Sequence, residues 1–404
     1  MSGAALPTAP AVRRAGPPRR RIALSWADPR FRAVVWQAAI VGGLALLVAY
    51  LVTNTSRNLE ARHIATGFGY LGRTAGIPVG EHLIGYDPAS STYGRALVIG
   101  FLNTLRVAVV GIVLATLLGT LVGLAKLSPN WLLSRVAGVY VETLRDIPLL
   151  LQLLFWYGLV QTLPPPKQSF HPVPGLFLSN RGFRLPTIDW QPGYGLVVAA
   201  FVVAGGLAWA WARRASRVQE ATGVRPAVLP VAAGLLAGLP LLAWLGIGAP
   251  FALDVPELRG FNFQGGATLS PEYGALLTGL VLYTATYIAE IVRSGILAVP
   301  RGQWEAAEAL GLRRSTVLRR IVLPQALRVI IPPMTSQFLN LTKNSSLAVA
   351  IGYQDIVSIA NTEINQTGQA IEGIAIIMAA YLSISLSISL FMNWYNRRIA
   401  LVER

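Results

Sequence analysis

The chain has 404 residues, of which 53% are hydrophobic and 13% charged, and its net charge is +16. This composition is too apolar for a soluble protein of this length, and the hydrophobic residues form uninterrupted blocks of about 20, the length of a transmembrane helix. The lack of cysteine excludes disulfides and thiolate metal sites, and the three histidines are not grouped at metal-ligand spacing. We therefore expect an all-α polytopic membrane protein that holds no metal and no cofactor.

The basic residues lie beside the apolar blocks. Lys and Arg next to membrane helices mark the cytoplasmic side, whereas a nucleic-acid-binding protein carries a basic face or stripe for the phosphates. We therefore expect no nucleic-acid partner and predict that both chain termini lie in the cytoplasm. The arginines near the two ends are Arg13, Arg14, Arg19, Arg20, Arg21, Arg397, Arg398 and Arg404.

The N-terminal part of the chain contains a polar tail, one apolar block and a polar loop. Residues 1–32 are rich in Pro, Ala and Arg and lack apolar periodicity, so we predict a cytoplasmic N-terminal tail. The first apolar block, Ala33–Thr53, is longer than the core of a secretory signal and is not followed by an A-x-A cleavage site. We interpret it as an uncleaved anchor, so residues 33–95 are predicted to form one transmembrane anchor and one external (periplasmic) loop.

Residues 96–394 contain further apolar blocks, which bring the predicted number of transmembrane helices to about eight. An even number places both termini on one side of the membrane, in agreement with the basic flanks. The tail after the last block, residues 395–404, is then cytoplasmic. The predicted spans are Ala96–Leu124, Val139–Leu163, Gly193–Ala212, Ala227–Ile247, Tyr273–Leu297, Ala326–Ala350 and Gly373–Trp394.

Gly119 and Gly123 form a G-x-x-x-G pattern in the second predicted span. This spacing lets two helix backbones approach closely in a membrane bundle. Small residues are also common in membrane helices in general. Both interpretations stay open on the sequence alone.

Acidic residues are concentrated in the loops assigned to the outside, although Arg57, Arg62 and Arg73 show that the charge bias is not absolute. The topology predicts that the acidic side chains lie in loops between the spans. The set is Glu60, Glu81, Asp87, Asp189, Asp254, Glu257, Glu272, Asp355, Glu363 and Glu372.

The segment Gly302–Pro324 is neither apolar enough to span a membrane nor an ordinary polar connector. Its residues predict a short helix, Trp304–Leu310, closed by Gly311 in the left-handed conformation. Ser315 is predicted to cap a second helix that runs to Val322, and Pro324 to mark the bend into the membrane. Such an elbow serves either as a rigid contact for a partner or as an amphipathic anchor at the headgroups. Periodicity alone favours the anchor.

The spacing within this segment resembles the EAA signature of bacterial ABC importer permeases. In that signature E-A-A is followed by three residues, G, nine residues and I-x-L-P, and the chain matches it at every fixed position. The resemblance implies a cytoplasmic coupling loop at 300–325 whose coupling helix sits in a groove of an ATPase subunit. The matching positions are Glu305, Ala306, Ala307, Gly311, Ile321, Leu323 and Pro324. The implied ATPase-coupling residues are Glu305, Ala306, Ala307, Glu308 and Gly311.

Four other segments are similar to polar amino-acid permeases of the histidine and glutamine type. The resemblance implies a type I ABC importer permease fold over residues 96–394, here with an extra helical pair at about 193–247, as in general L-amino-acid permeases. It further implies a bacterial inner membrane location and, as partners, ABC ATPase subunits, a second similar permease, a periplasmic amino-acid-binding protein and membrane lipid. The segments are Asn103–Arg106, Glu142–Gln152, Asn262–Gly266 and Leu341–Leu347.

Ionisable residues at membrane depth need a partner or a cavity. Glu142 with Arg145, and Glu290 with Arg293, are three residues apart on one helix face and are predicted to be structural ion pairs. A polar run follows the expected helix break at Pro332–Pro333, and it lines a substrate pathway or bonds to neighbouring helices. The run consists of Asn340, Lys343, Asn344, Ser345 and Ser346.

The chain contains no G-x-x-x-x-G-K-[ST] phosphate loop, no HExxH helix and no Ser/His/Asp set. It is therefore predicted to be a transport subunit without enzymatic activity of its own. The alternative is an ion-coupled secondary transporter, which requires a buried acid or an inverted repeat. Glu290 is the acid nearest to that requirement.

Overall fold

The structure is a computed structural model that describes residues 26, 29–61, 66–224, 226–249, 251–260 and 262–399. The chain divides into two compact units, Met1–Gly67 and Phe68–Arg404. In the first unit, helix α1 (Pro29–Ala61) is longer at both ends than the predicted anchor. It begins with a proline, which suits the first helical position because no N–H partner is needed there. The predicted N-terminal tail lies, up to residue 25, outside the described residues.

The second unit is mostly helical, with one helix pair that is sharply bent. Among the described residues of both units, six helices are long and apolar enough to cross a membrane, namely α1 and those that begin at Tyr93, Tyr194, Leu229, Pro271 and Ala370. The bent pair, Trp131–Asp146 with Leu149–Gln161, makes seven when it is counted as one span. The predicted span Ala326–Ala350 corresponds to the helix Leu323–Asn344, which is more polar than these. The helices are α2 (Tyr93–Lys126), α3 (Trp131–Asp146), α4 (Leu149–Gln161), α5 (Tyr194–Thr222), α6 (Leu229–Gly246), α7 (Pro271–Leu297), α8 (Arg301–Ala309), α9 (Arg314–Val317), α10 (Leu323–Asn344), α11 (Ile356–Thr367) and α12 (Ala370–Ile399).

The span predicted over Val139–Leu163 is not one continuous helix in the structure. Helices α3 and α4 meet there at a bend of 104°. The helical region is disfavoured for the residue before a proline, and Ile147, before Pro148, is extended with ψ 125°. The side chain of Gln152 supports the bend, since its Nε2 donates to the backbone carbonyls of Leu144 at 2.7 Å and Ile147 at 3.0 Å.

Helices α2 and α7 pack closely along their C-terminal halves. A Cβ placed on Gly119 would lie 2.6 Å from Ile288 Cβ, and one on Gly123 would lie 2.7 Å from the carbonyl oxygen of Ala289. Neither distance is tolerable between non-bonded atoms, so only glycine allows the two backbones to come this close. The structure therefore supports the first interpretation of the G-x-x-x-G pattern, which is a close contact between two helices.

The fold is mostly helical, as predicted, and among the described residues eight short strands flank the extra helical pair α5–α6. All pairings are antiparallel, in a four-stranded sheet of order β1-β2-β3-β8 and two ribbons, β4-β5 and β6-β7. Tight glycine turns between strands only two to four residues long hide the alternation that identifies strands in a sequence. The strands are β1 (Phe170–Val173), β2 (Leu176–Ser179), β3 (Gly182–Leu185), β4 (Thr187–Ile188), β5 (Leu253–Asp254), β6 (Glu257–Arg259), β7 (Asn262–Gln264) and β8 (Ala267–Leu269).

The C-terminal helix is longer than predicted. Helix α12 ends at Ile399, so the first half of the tail predicted at residues 395–404 continues the helix. Arg397 and Arg398 then lie in its last turn, where cations interact favourably with the helix dipole. Residues 400–404 are outside the described part of the chain.

Candidate functional site

The loop between α7 and α10 contains an elbow at Gly311. The Gly311 N–H donates to the Glu308 carbonyl at 2.9 Å, and the Leu312 N–H donates to the Ala307 carbonyl at 3.2 Å. This pair of bonds is the Schellman ending of a helix, which requires a left-handed residue. Gly311 has φ +67°. The glycine therefore fixes the direction in which the chain leaves α8.

Helix α8 has one buried and one exposed face. Ala307 is 2% exposed and belongs to a buried apolar cluster with Val299, Val317 and Val322, against which Trp304 packs. The side chains on the other face are exposed. They include the predicted coupling residues Glu305, Ala306 and Glu308, together with Leu310, which is 77% exposed. Among the predicted coupling residues, Ala307 therefore holds α8 against the bundle, and its side chain is not available to a partner.

The second half of the elbow differs from the prediction. Helix α9 begins at Arg314 after Arg313, which makes no side-chain capping bond, so Ser315 is not the cap. The chain then continues through a π-helical turn, Leu318–Val322, into α10 without a separate bend at Pro324. Pro324 has no N–H for the carbonyl four residues earlier, which accounts for the wider turn.

The predicted polar run lies at the end of α10 and in the following 3₁₀ turn, Ser345–Ile351. Helix α10 continues through Pro332–Pro333, so the predicted break is displaced to Ser345. Asn340 and Lys343 are exposed and lie three residues apart, while Asn344 and Ser346 are half-buried. Ser345 Oγ donates to the Thr342 carbonyl at 2.7 Å, and Ser346 Oγ to the Lys343 carbonyl at 2.8 Å. The two serines thus bond to their own helix.

Only one of the two predicted ion pairs is formed in the structure. Arg293 Nε lies 2.8 Å from Glu290 Oε2, and Lys126, the last residue of α2, bonds to the other oxygen of the same carboxylate. The Arg145 guanidinium instead lies over the Tyr287 ring, 4.9 Å from its centroid, a cation–π contact. Glu142 is exposed and is not paired with Arg145. The aromatic face on α7 therefore replaces the expected carboxylate as partner of Arg145.

Two acids that the sequence assigned to outside loops are buried around α11, which is too short to span a membrane. Asp355 is the N-cap of α11 and accepts from the Ser358 N–H at 2.8 Å. Glu363 is 1% exposed, and neither carboxylate oxygen has a hydrogen-bond partner among the described residues. Burial raises the pKa of Asp355 to about 7 and the pKa of Glu363 to about 8. The position of Asp355 at the start of a helix could be predicted from the sequence, because Asp is a common N-cap residue. The burial of Glu363 could not, because it depends on tertiary packing.

We expect the free energy of unfolding to fall as the pH rises from about 5 to about 9. The native state keeps a proton on Glu363 that the unfolded chain, with an ordinary glutamate pKa, releases. The native state therefore binds more protons, and it loses stability as the pH rises. Thermal unfolding of the purified protein at both pH values measures the effect. The Glu363→Gln variant, which stays neutral throughout, should show a smaller pH dependence, and an unchanged pH dependence would contradict the account.

Among the described residues, no group of His, Asp and Glu side chains is gathered that could hold a metal ion. The arrangement combines an exposed helix on a rigid elbow, a bundle of apolar helices and polar groups at helix ends.

Comparison with known proteins agrees with this description. Residues 111–401 match the family described as binding-protein-dependent transport system inner membrane component. The permease protein YhdX of Escherichia coli is 50% identical over 94% of this chain and 97% of its own length. The general L-amino acid transport system permease protein AapQ of Rhizobium johnstonii is 47% identical over 93% and 94%, respectively. The permease protein BztB of Rhodobacter capsulatus, of a glutamate/glutamine/aspartate/asparagine transport system, is 41% identical over 96% and 99%.

The matched region runs from within α2 to the end of the last helix, and it includes the elbow between α7 and α10. The relatives are similar over almost their whole length, so the likeness is not confined to one motif. These relatives are membrane permeases, and ATP hydrolysis in such systems belongs to a separate subunit. The chain therefore belongs to the family of inner membrane components of binding-protein-dependent transport systems.

Proposed function

We propose that the chain is the permease subunit of an ATP-driven importer for polar L-amino acids and that α8 is its contact with an ATPase subunit. The observation that carries the proposal is the two-faced helix α8 on the Gly311 elbow, with exposed Glu305, Ala306 and Glu308. The substrate class rests on the relatives AapQ and BztB, which are named for general L-amino acid transport and for glutamate, glutamine, aspartate and asparagine transport.

The packing supplies a mechanical path from α8 to the bundle. Ala307, on the buried face of α8, shares one apolar cluster with Val292 of α7 and with Ala326 and Ile330 of α10. Close-packed interiors transmit displacement because they have few voids to absorb it. A partner that moves α8 when it binds or hydrolyses ATP therefore displaces α7 and α10 with it.

The proposal includes the partners and the topology. The α8 elbow faces the cytoplasm, as do both chain termini, and it meets one of the ABC ATPase subunits there. A second, similar permease completes the translocation pathway, and a periplasmic binding protein delivers the amino acid to the opposite side. The basic residues that flank the elbow support this orientation. They are Arg301, Arg313, Arg314, Arg319 and Arg320, all of them exposed.

Ion-coupled secondary transport is the second candidate. Glu290 does not favour it, because this carboxylate is paired with both Lys126 and Arg293. The observation in its favour is Glu363, a buried acid whose carboxylate has no hydrogen-bond partner among the described residues.

Proteoliposomes separate the two candidates. The chain, co-purified with its ATPase and permease partners, is reconstituted with the binding protein, and uptake of labelled L-glutamine and L-glutamate is measured with and without ATP. We expect uptake and binding-protein-stimulated ATP hydrolysis only when all components are present. Counterflow without ATP would contradict the importer and support the ion-coupled transporter.

Lys343 is proposed to attract the carboxylate of the amino acid along the pathway, since its side chain is exposed next to Asn340. We expect Lys343→Met to raise the KM for uptake roughly tenfold, which corresponds to the loss of about 1.5 kcal/mol, the lower end of what a hydrogen bond to a charged group contributes. Ser346→Ala is the matched control, because the Ser346 hydroxyl already bonds to its own helix. If Lys343→Met and the wild type have equal KM values for all polar amino acids tested, Lys343 has a structural role and does not attract the substrate.

A further inference from the structure

A small polar cavity lies at the start of α7, at the end of the bundle opposite the elbow. Helix α7 has 27 residues, so the two ends are separated by roughly 40 Å. The cavity has a volume of about 60 Å³, room for roughly four water molecules at the ~10–15 Å³ that each requires, and far below the ~300–1,000 Å³ of sites for drug-sized ligands. It is therefore suited to a small solute. Its polar lining includes Glu81, Asn103, Ser270, Glu272, Tyr353 and Gln354.

A clamp that holds the carboxylate of Glu81 adjoins the cavity: Glu81 and Ser270 belong to the lining, and Arg106 is bonded to Glu81. Arg106 Nη1 lies 2.6 Å from Glu81 Oε2, and the Ser270 N–H donates to Glu81 Oε1 at 2.6 Å. Ser270 is the N-cap of α7, where the helix dipole favours an anion. The Arg106 guanidinium also lies over the Tyr273 ring, 4.2 Å from its centroid, which holds it in place. A guanidinium beside a helix start suits any carboxylate.

Another part of the lining carries two buried oxygens without partners. Asn103 is fully buried, and its Nδ2 donates to the backbone carbonyls of Glu81 and Gln354, which leaves Oδ1 without a hydrogen bond among the described residues. Tyr353 is 3% exposed, and its hydroxyl is likewise without a partner there. Buried polar atoms in proteins are almost always bonded. Both oxygens are acceptors, and Glu272 adds a carboxylate to the same lining.

A purely structural role does not account for this arrangement. The loop that carries Glu81 is already fastened by Gln354, whose Nε2 donates to the Pro78 carbonyl at 2.6 Å and whose Oε1 accepts from the Gly80 N–H at 2.7 Å. The polar side-chain atoms of Gln354 therefore have partners. In the cavity lining, the atoms without partners among the described residues are Asn103 Oδ1 and the Tyr353 hydroxyl, beside the clamp that holds the Glu81 carboxylate.

We propose that this cavity binds the α-ammonium and α-carboxylate groups of an amino acid, and that Glu81 occupies the carboxylate position in the ligand-free state. The Asn103 and Tyr353 oxygens and the Glu272 carboxylate accept from the ammonium, and Arg106 with the Ser270 N–H binds the carboxylate. This inference rests on the proposed transport of amino acids. It follows that ligand and Glu81 compete for Arg106, so that an arriving amino acid displaces the Glu81 side chain from the guanidinium.

The test measures ligand binding by the full permease complex in nanodiscs, separately from uptake. The probes are L-glutamate, L-glutamine, L-aspartate and L-asparagine, and the one that binds most tightly is compared with its decarboxylated and deaminated analogues. We expect Tyr353→Phe and Asn103→Leu to weaken binding at least about fivefold, and Glu81→Gln to tighten it. Glu257→Gln is the control, since the Glu257–Arg259 pair is exposed and does not line the cavity.

The outcomes separate this site from the proposed function. Loss of binding with both analogues and the stated order of the variants support the site. Affinities of Tyr353→Phe and Glu81→Gln equal to that of the wild type, with ATP-driven uptake intact, would overturn the site and leave the importer standing. The site is equally overturned if the complex takes up a probe with ATP but binds none of them. Tyr353→Phe removes a single oxygen, so it serves where Asn103→Leu fails to fold.

Discussion

The Gly311→Val variant is expected to insert into the membrane normally and to lose ATP-driven uptake by more than about tenfold. Gly311 has φ +67°, a conformation that a β-branched residue adopts only with strain of about 1–3 kcal/mol. A Cβ at this position would meet no atom within 4 Å, so the substitution acts through the backbone and not through a clash. The chain would therefore leave α8 in a different direction. Helix α8 would then no longer be held in position for its contact with the ATPase subunit.

Gly311→Asn is the matched control, because asparagine tolerates the left-handed conformation that ends a helix. It should keep most of the uptake. The measurements are uptake in vesicles, membrane content by immunoblot and the amount of ATPase subunit that co-purifies. Normal uptake by Gly311→Val with normal co-purification would contradict the docking role of the elbow.

Gly119→Val is expected to have the largest effect on stability, with a loss that exceeds about 3 kcal/mol. Even the first carbon of a side chain would lie 2.6 Å from Ile288 Cβ and 2.8 Å from the Ala285 carbonyl oxygen. Because two helix backbones cannot shift locally as a flexible side chain does, α2 and α7 would have to separate along their length.

The matched control is Gly138→Val in α3, where an added Cβ meets nothing within 4 Å. Both variants place the same side chain in a helix, so helix propensity cancels in the comparison. Thermal unfolding and detergent-solubilised yield are the readouts. Similar melting temperatures for Gly119→Val and Gly138→Val would refute the close contact of α2 with α7.

The elbow shows what the sequence alone predicts well. Gly311 after a run of helix formers predicts a left-handed helix end, because that conformation is a local property of glycine. The prediction of Ser315 as the capping residue of the next helix is wrong. Ser315 has the right side chain, but the choice among nearby starting residues depends on how Val317 is buried in the core.

The buried polar groups show what the sequence does not reveal. Glu81 and Glu363 occur in stretches that resemble ordinary acidic loops, and nothing in their neighbours distinguishes them. Both are brought against α2 by contacts between separate segments of the chain, such as that of Arg106 with Glu81. The contact of Arg145 with Tyr287 is hidden for the same reason, since helical spacing predicts only partners within one helix.

The small ribbon of β4 and β5 makes the α5–α6 segment a separable insertion. Thr187 is paired with Asp254 and Ile188 with Leu253, so the two ends of the α5–α6 segment lie side by side. Antiparallel strands are joined by as few as two residues. A two-residue turn between Ile188 and Leu253 would therefore close the chain without the α5–α6 segment and without displacing α4 or α7.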